Sequence, residues 1–249
     1  MMLTLGRVLS DAWSVLRREG DLVLRVAAPF VFLPAFAVQL LAAPPPALPQ
    51  GPRDQAAMQT WLEQLSAWGQ GNAGWYLLAD AIGIYGLAAL AILLIHPARP
   101  DVKTALATAG RRFGRFLLAD LLISIPVGLG LWLFVLPGLY IQARLIAAIP
   151  ALVVESPISA RRAVGRSWRL MRRDWWGVLA AIVTLFLAQY LVLAPLMGAD
   201  DVLRTAGREN PFVLALVDAG MAATATAYHL GILAIGIAVY RRLAGNNGM

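Results

Sequence analysis

The chain alternates long apolar runs with short breaks rich in arginine or proline, and that alternation restricts its fold more than any other feature. Several of the runs exceed the ~18 residues that mark a membrane span. Inside a bilayer each backbone N–H and C=O must find its partner within the protein, so such runs become helices. Composition points the same way. The chain is 59% hydrophobic and 14% charged, where a soluble domain carries about 25% charged residues. A net charge of +7 would suggest nucleic acid in a soluble protein, but in a membrane protein it marks the cytoplasmic loops. With no cysteine, disulfides, thiol catalysis and thiolate metal sites are excluded.

The pattern predicts an all-α integral membrane protein, a single transmembrane domain over residues 1–249. Six spans are expected, at Leu22–Ala43, Trp75–His96, Phe116–Val135, Leu139–Val154, Trp175–Met197 and Phe212–Tyr240. Pro29 and Pro34 predict a kink in the first. Leu136-Pro137-Gly138 reads as a tight turn that returns the chain into the fourth, which is short and so is expected among other helices. Four stretches have apolar residues at helical spacing and read as surface helices: 3–18, 54–69, 102–113 and 158–173. The one at 54–69 belongs on the side of the bilayer opposite the others. Met1 to Gly20 has no basic start followed by an apolar core, and is expected to be retained rather than cleaved as a signal.

Lysine and arginine set the orientation. Six spans put sixteen of the 21 basic residues on the side of the termini and the 97–115 and 156–173 loops. The other side holds Arg53, Arg204 and Arg208, while Arg25 and Arg144 lie inside spans. That bias predicts both termini in the cytoplasm. A repeat runs beneath it: VLSDAWSVLRREGDLVL from Val8 aligns without gaps on AVGRSWRLMRRDWWGVL from Ala163, pairing Trp13 with Trp168 and Glu19 with Asp174. The stretch TALATAGRRFGRFLL from Thr104 keeps the Arg-Arg pair but not the tryptophan. The six spans would then form three hairpins, each preceded by a basic amphipathic helix. The copies share one orientation, unlike the inverted repeats of many secondary transporters.

Ionisable residues at membrane depth are candidate sites, since each costs ~2.5–3.5 kcal/mol or more at a helix centre. They are Arg25, Asp80, Asp120, Arg144, Asp218 and His229. Depth alone suggests Asp80 with Arg144 and Arg25 with Asp120 as pairs. Arg144 is then either an anchor for an anionic group or half of a structural ion pair. Asp218 and His229, three turns apart on one helix, are weaker candidates for a proton relay. Gly220, Ala223, Ala227 and Gly231 read as helix-packing positions. Arg161, Arg162, Arg166, Arg169, Arg172 and Arg173 crowd one short helix, whose charge suits anionic headgroups and also serves as a topology signal. No nucleophile elbow, phosphate-binding loop, zinc motif or nucleotide fingerprint occurs, so no enzymatic activity, metal or cofactor is expected.

The central stretch PGLYIQARLIAAIPALVVES, followed by RRAVGRSWRLMRRDWWGVL, resembles a bacterial six-span family, the membrane domain of glycerophosphoryl diester phosphodiesterase and its YciC-like relatives. Pro137, Gly138, Tyr140, Arg144, Pro150, Glu155, Ser167, Trp168 and Arg173 follow that family's pattern in order, and VYRRL from Val239 resembles its ending. The resemblance implies a membrane fold. It implies no phosphodiesterase activity, because the catalytic histidines and metal-binding carboxylates of the fused soluble domain have no counterpart in the chain. Two functions stay open. One is a non-enzymatic multi-pass inner-membrane protein that packs with lipids or partners in envelope homeostasis. The other is a permease for a small or anionic solute with Arg144 in its site. The expected partners are membrane lipids, and nucleic acid is not among them.

Overall fold

The computed structural model describes residues 3–46, 48–49, 55–204 and 210–245. Arg53 and Arg208, two of the three basic residues assigned to the outer side, lie outside them, as does the first residue of the expected 54–69 helix. Among the described residues the chain is helical, without strands. Six helical segments are long and apolar enough to cross a membrane: Gly20–Leu41, Gln55–Ile95, Phe113–Leu133, Val135–Val154, Trp175–Leu203 and Pro211–Ala244.

α1 (Leu5–Arg18) is followed after one residue by α2 (Gly20–Ala27). The kink expected at Pro29 takes the form of a π-helical turn over Ala28–Phe32, beyond which α3 (Leu33–Leu41) completes the first span. A residue without an N–H removes one i→i−4 bond, and widening the turn to i→i−5 absorbs that loss without ending the helix. The next segment departs from expectation. The surface helix over 54–69 and the span from Trp75 form one continuous helix, α4 (Gln55–Ile95). No proline falls between them, and Gly69, Gly71 and Gly74 weaken a helix without breaking it. Tertiary bonds support the junction: the Trp68 indole donates to the Ala43 carbonyl at 2.7 Å, and Asn72 accepts the Ala43 amide at 3.1 Å.

α5 (Val102–Arg111) is capped by Asp101, whose carboxylate accepts the Thr104 amide at 3.1 Å. α6 (Phe113–Leu133) and α7 (Val135–Leu145) are separated by Phe134 alone, in an extended conformation. The turn therefore precedes Pro137 and Gly138, which lie in the first turn of α7, where a proline costs no hydrogen bond. The glycines there permit contact: a Cβ on Gly130 would meet the Gly138 Cα at 2.8 Å, and one on Gly138 would meet Leu131 at 2.5 Å. α7 and α8 (Ala148–Val154) make up the fourth span, broken at Ile146-Ala147. Two thirds of it (67%) is buried, more than any other span. α9 (Ala160–Leu170), α10 (Trp175–Leu203) and α11 (Pro211–Gly245) complete the chain.

α11 is the central post. Leu233, Ile237 and Tyr240 join a core with α2, α4, α5, α6 and α8, while Ala234, Ile235 and Val239 join a second with α1, α7 and α10. Of the four small residues expected to pack, Gly220 and Gly231 face Leu196 and Leu185 of α10, but Ala223 and Ala227 are exposed. The first and third copies of the repeat break in register. α2 and α10 begin at Gly20 and Trp175, which the alignment pairs, and Glu19 and Asp174 precede them. Val8 and Ala12 are buried on α1 as Ala163 and Ser167 are on α9, whereas Trp13 and Trp168 are exposed on both.

Candidate functional site

Two polar constellations stand out, one a clamp and the other a cavity. The clamp is built on Arg144, on the last turn of α7 and only 7% exposed. Its guanidinium donates to the carbonyls of Trp168 at 3.1 Å and Met171 at 3.2 Å. These belong to the orphan acceptors at the C-terminus of α9, where the helix dipole also favours a cation. The guanidinium carbon stands 4.3 Å from the centre of the Trp168 ring, and Tyr140 meets Trp168 and Trp175 edge-on at 6.3 and 5.0 Å. Ser167 returns the favour from α9. Its hydroxyl donates to the Arg144 carbonyl at 2.9 Å and accepts the Ala147 amide at 3.1 Å, bridging the break between α7 and α8. Gly236 of α11 lies against the same break, where a Cβ would stand 2.5 Å from the Ile146 carbonyl oxygen.

The pairing of Arg144 with Asp80 is thus not formed, because α9 supplies backbone acceptors where a carboxylate was expected. A shared depth does not imply a shared face, and Asp80 is exposed on α4. Arg25 is also exposed, on α2, and makes no ion pair with Asp120 among the described residues. Asp218 is buried and lies 3.6 Å from Arg204, which is hydrogen-bonded to Asp200 at 2.9 Å. That pairing takes Asp218 away from the relay envisaged with His229. Within the basic helix, Arg166 meets Glu155 at 3.0 Å, and the Tyr240 hydroxyl donates to the same carboxylate oxygen at 2.9 Å. Arg161, Arg162, Arg169, Arg172 and Arg173 are exposed. Two residues beyond Tyr240, Arg242 pairs with Asp11, tying α11 to α1.

The cavity, of about 350 Å³, lies between α4, α6, the α7–α8 span and α11. Its wall is apolar apart from Asp120, Ser124, Gln142, Tyr228 and His229. The Tyr228 hydroxyl donates to the Gln142 side-chain oxygen at 3.0 Å. Asp80 is within electrostatic range of both Asp120 and His229. So two of the ionisable residues read from the sequence, Asp120 and His229, share this cavity, in a grouping that depth did not suggest. Gln142, Tyr228 and Ser124 were missed because uncharged polar residues are common in spans and carry no such signal. Among the described residues, no group of three His, Asp or Glu side chains is placed to hold a metal ion.

The clamp accounts for the spacing of the central motif: Gly138, Tyr140, Arg144, Glu155, Ser167 and Trp168 each make a contact between elements. No curated protein and no solved structure matches the chain. Residues 115–205, which carry the whole clamp and much of the cavity wall, match the family described as the membrane domain of glycerophosphoryl diester phosphodiesterase.

Proposed function

We propose that this is a non-enzymatic, multi-pass protein of the bacterial cytoplasmic membrane that binds anionic lipid along a basic cytoplasmic rim, in the service of envelope homeostasis. The observation that carries the reading is the division of labour among the arginines. Arg144 is enclosed and committed to backbone carbonyls, Arg166 is committed to Glu155, and the other five arginines of residues 160–173 are exposed without an acidic partner among the described residues. Such a row next to anionic headgroups is worth ~1 kcal/mol per arginine near the surface. The permease reading needs Arg144 open to a solute, which its enclosure disfavours.

In this reading both termini face the cytoplasm and the six spans form three hairpins, each entered through a basic helix. The sixteen-to-three distribution of basic residues supports that orientation. The exposed tryptophans at equivalent places on α1 and α9 support an interfacial position for both helices. An apolar groove of about 670 Å³ between the first span and α4, lined by Pro29, Leu33, Trp75 and Ile82 among others, suits acyl chains.

The test is lipid retention. Protein reconstituted in nanodiscs of equal parts phosphatidylglycerol and phosphatidylcholine is released and analysed by native mass spectrometry. Wild type should retain phosphatidylglycerol in excess. The variant with glutamine at positions 161, 162, 169, 172 and 173 should lose that excess while unfolding like wild type. Equal retention by both proteins would overturn the reading.

A further inference from the structure

The cavity between α4, α6, α7–α8 and α11 asks for a ligand of the opposite charge to the one the basic rim attracts. Asp120 is half-buried in its wall, and no lysine or arginine lines it. The ion pairs among the described residues use Asp11, Glu155, Asp200 and Asp218, and none involves Asp120 or Asp80. An anion in this space would meet the unpaired Asp120 carboxylate and be repelled. The wall also carries Ser124, Gln142, Tyr228 and His229, and the rest of it, from Ile84 and Phe116 to Ile149 and Leu233, is hydrocarbon. A divalent metal would need several convergent carboxylates or imidazoles, and these are lacking among the described residues.

We propose that this cavity binds an amphiphile bearing a protonated amine, with Asp120 as counter-ion to the ammonium and the apolar wall enclosing the tail. An ammonium group has three N–H donors and no acceptor. Asp120 supplies a charged acceptor, and the Ser124 hydroxyl one turn further along α6 supplies a neutral one. The Tyr228–Gln142 bond fixes the polar face of the opposite wall. The volume of about 350 Å³ is at the lower end of the range of small-molecule sites, ~300–1,000 Å³, which suits one alkyl chain rather than a whole phospholipid. This ligand is distinct from the rim lipids and its site shares no residue with the arginine row.

Photolabelling tests the assignment. Protein in phosphatidylcholine nanodiscs is exposed to a diazirine-bearing alkyl amine or to the alcohol with the same tail, and labelled peptides are mapped by mass spectrometry. The amine should label the α6 and α11 walls at least about tenfold more than the alcohol, as expected for a charge contact away from bulk water. Asp120→Asn should bring the two probes to parity. Ile123→Trp keeps the carboxylate but fills the space, and should suppress labelling by both. It also keeps the test decisive should Asp120→Asn fold poorly. Equal labelling of wild type by amine and alcohol, a preference that survives Asp120→Asn, or labelling unaffected by Ile123→Trp would each overturn the proposal.

Discussion

Replacing Arg144 with leucine should loosen α9 from α7 and destabilise the whole protein. The substitution withdraws donors at 3.1 and 3.2 Å and strands the carbonyls of Trp168 and Met171. A buried acceptor without its partner costs ~1–3 kcal/mol, so the two together amount to ~2–6 kcal/mol. Loss of the cation–π contact with Trp168 adds ~0.5–2 kcal/mol. Two effects oppose this: leucine has no guanidinium to desolvate, and the Arg144 Nε is itself buried without a hydrogen-bond partner among the described residues. The net expectation is about 3 kcal/mol of destabilisation. Lysine keeps the charge but reaches one carbonyl and cannot lie flat on the indole, so Arg144→Lys should cost about 1–2 kcal/mol. The assay is reversible unfolding in mixed micelles by titration with dodecyl sulfate, followed by tryptophan emission. Trypsin cleavage after Arg169, Arg172 and Arg173 serves as a local probe of α9. If Arg144→Leu unfolds at the wild-type midpoint, is cleaved no faster and yet loses retained lipid, Arg144 is a ligand anchor and the structural account is wrong.

Three further outcomes follow from the same geometry. Ser167→Ala removes the hydroxyl that serves both the Arg144 carbonyl and the Ala147 amide, and should lower stability by ~1–3 kcal/mol in the same titration, with Ser167→Thr less severe. Gly236→Leu should disrupt packing more than Gly165→Leu: even a Cβ at 236 would stand 2.5 Å from the Ile146 carbonyl oxygen, whereas none of the atoms around 165 lies within 4 Å of one. The Thr104 hydroxyl and amide, in that order, hold the Asp101 carboxyl below its ordinary value of 3.8. A lowered folded-state value means that the cap's contribution is complete above 3.8 and fades as the pH falls through the lower folded value. Hydrogen exchange at the Thr104 amide should therefore accelerate only in acid, beyond the intrinsic trend, and Asp101→Asn should remove that dependence.

The membrane class, the number of apolar helices and the presence of short helices near residues 5–18, 102–111 and 160–170 were legible in the residues. They follow from how long a segment stays apolar and where its charges interrupt it, which are properties of a one-dimensional pattern. Two readings of that pattern failed for local reasons. The surface helix at 54–69 and the span from Trp75 read as separate elements, yet they form one helix, α4, supported at the junction by bonds between Ala43 and both Trp68 and Asn72. Pro137-Gly138 read as a turn, yet a single extended residue, Phe134, makes the turn before them. The partners of the polar residues required the tertiary structure. Hydropathy gives the depth of a side chain but not its azimuth around the helix, so residues at one depth can face opposite ways. Asp80 and Arg144 were paired by depth, but the packing of α9 gave Arg144 two carbonyls and left Asp80 exposed on α4. The motif of the central stretch was visible as spacing. Only the fold turned that spacing into a clamp, because a guanidinium on one helix and a helix terminus 24 residues further on meet in three dimensions alone.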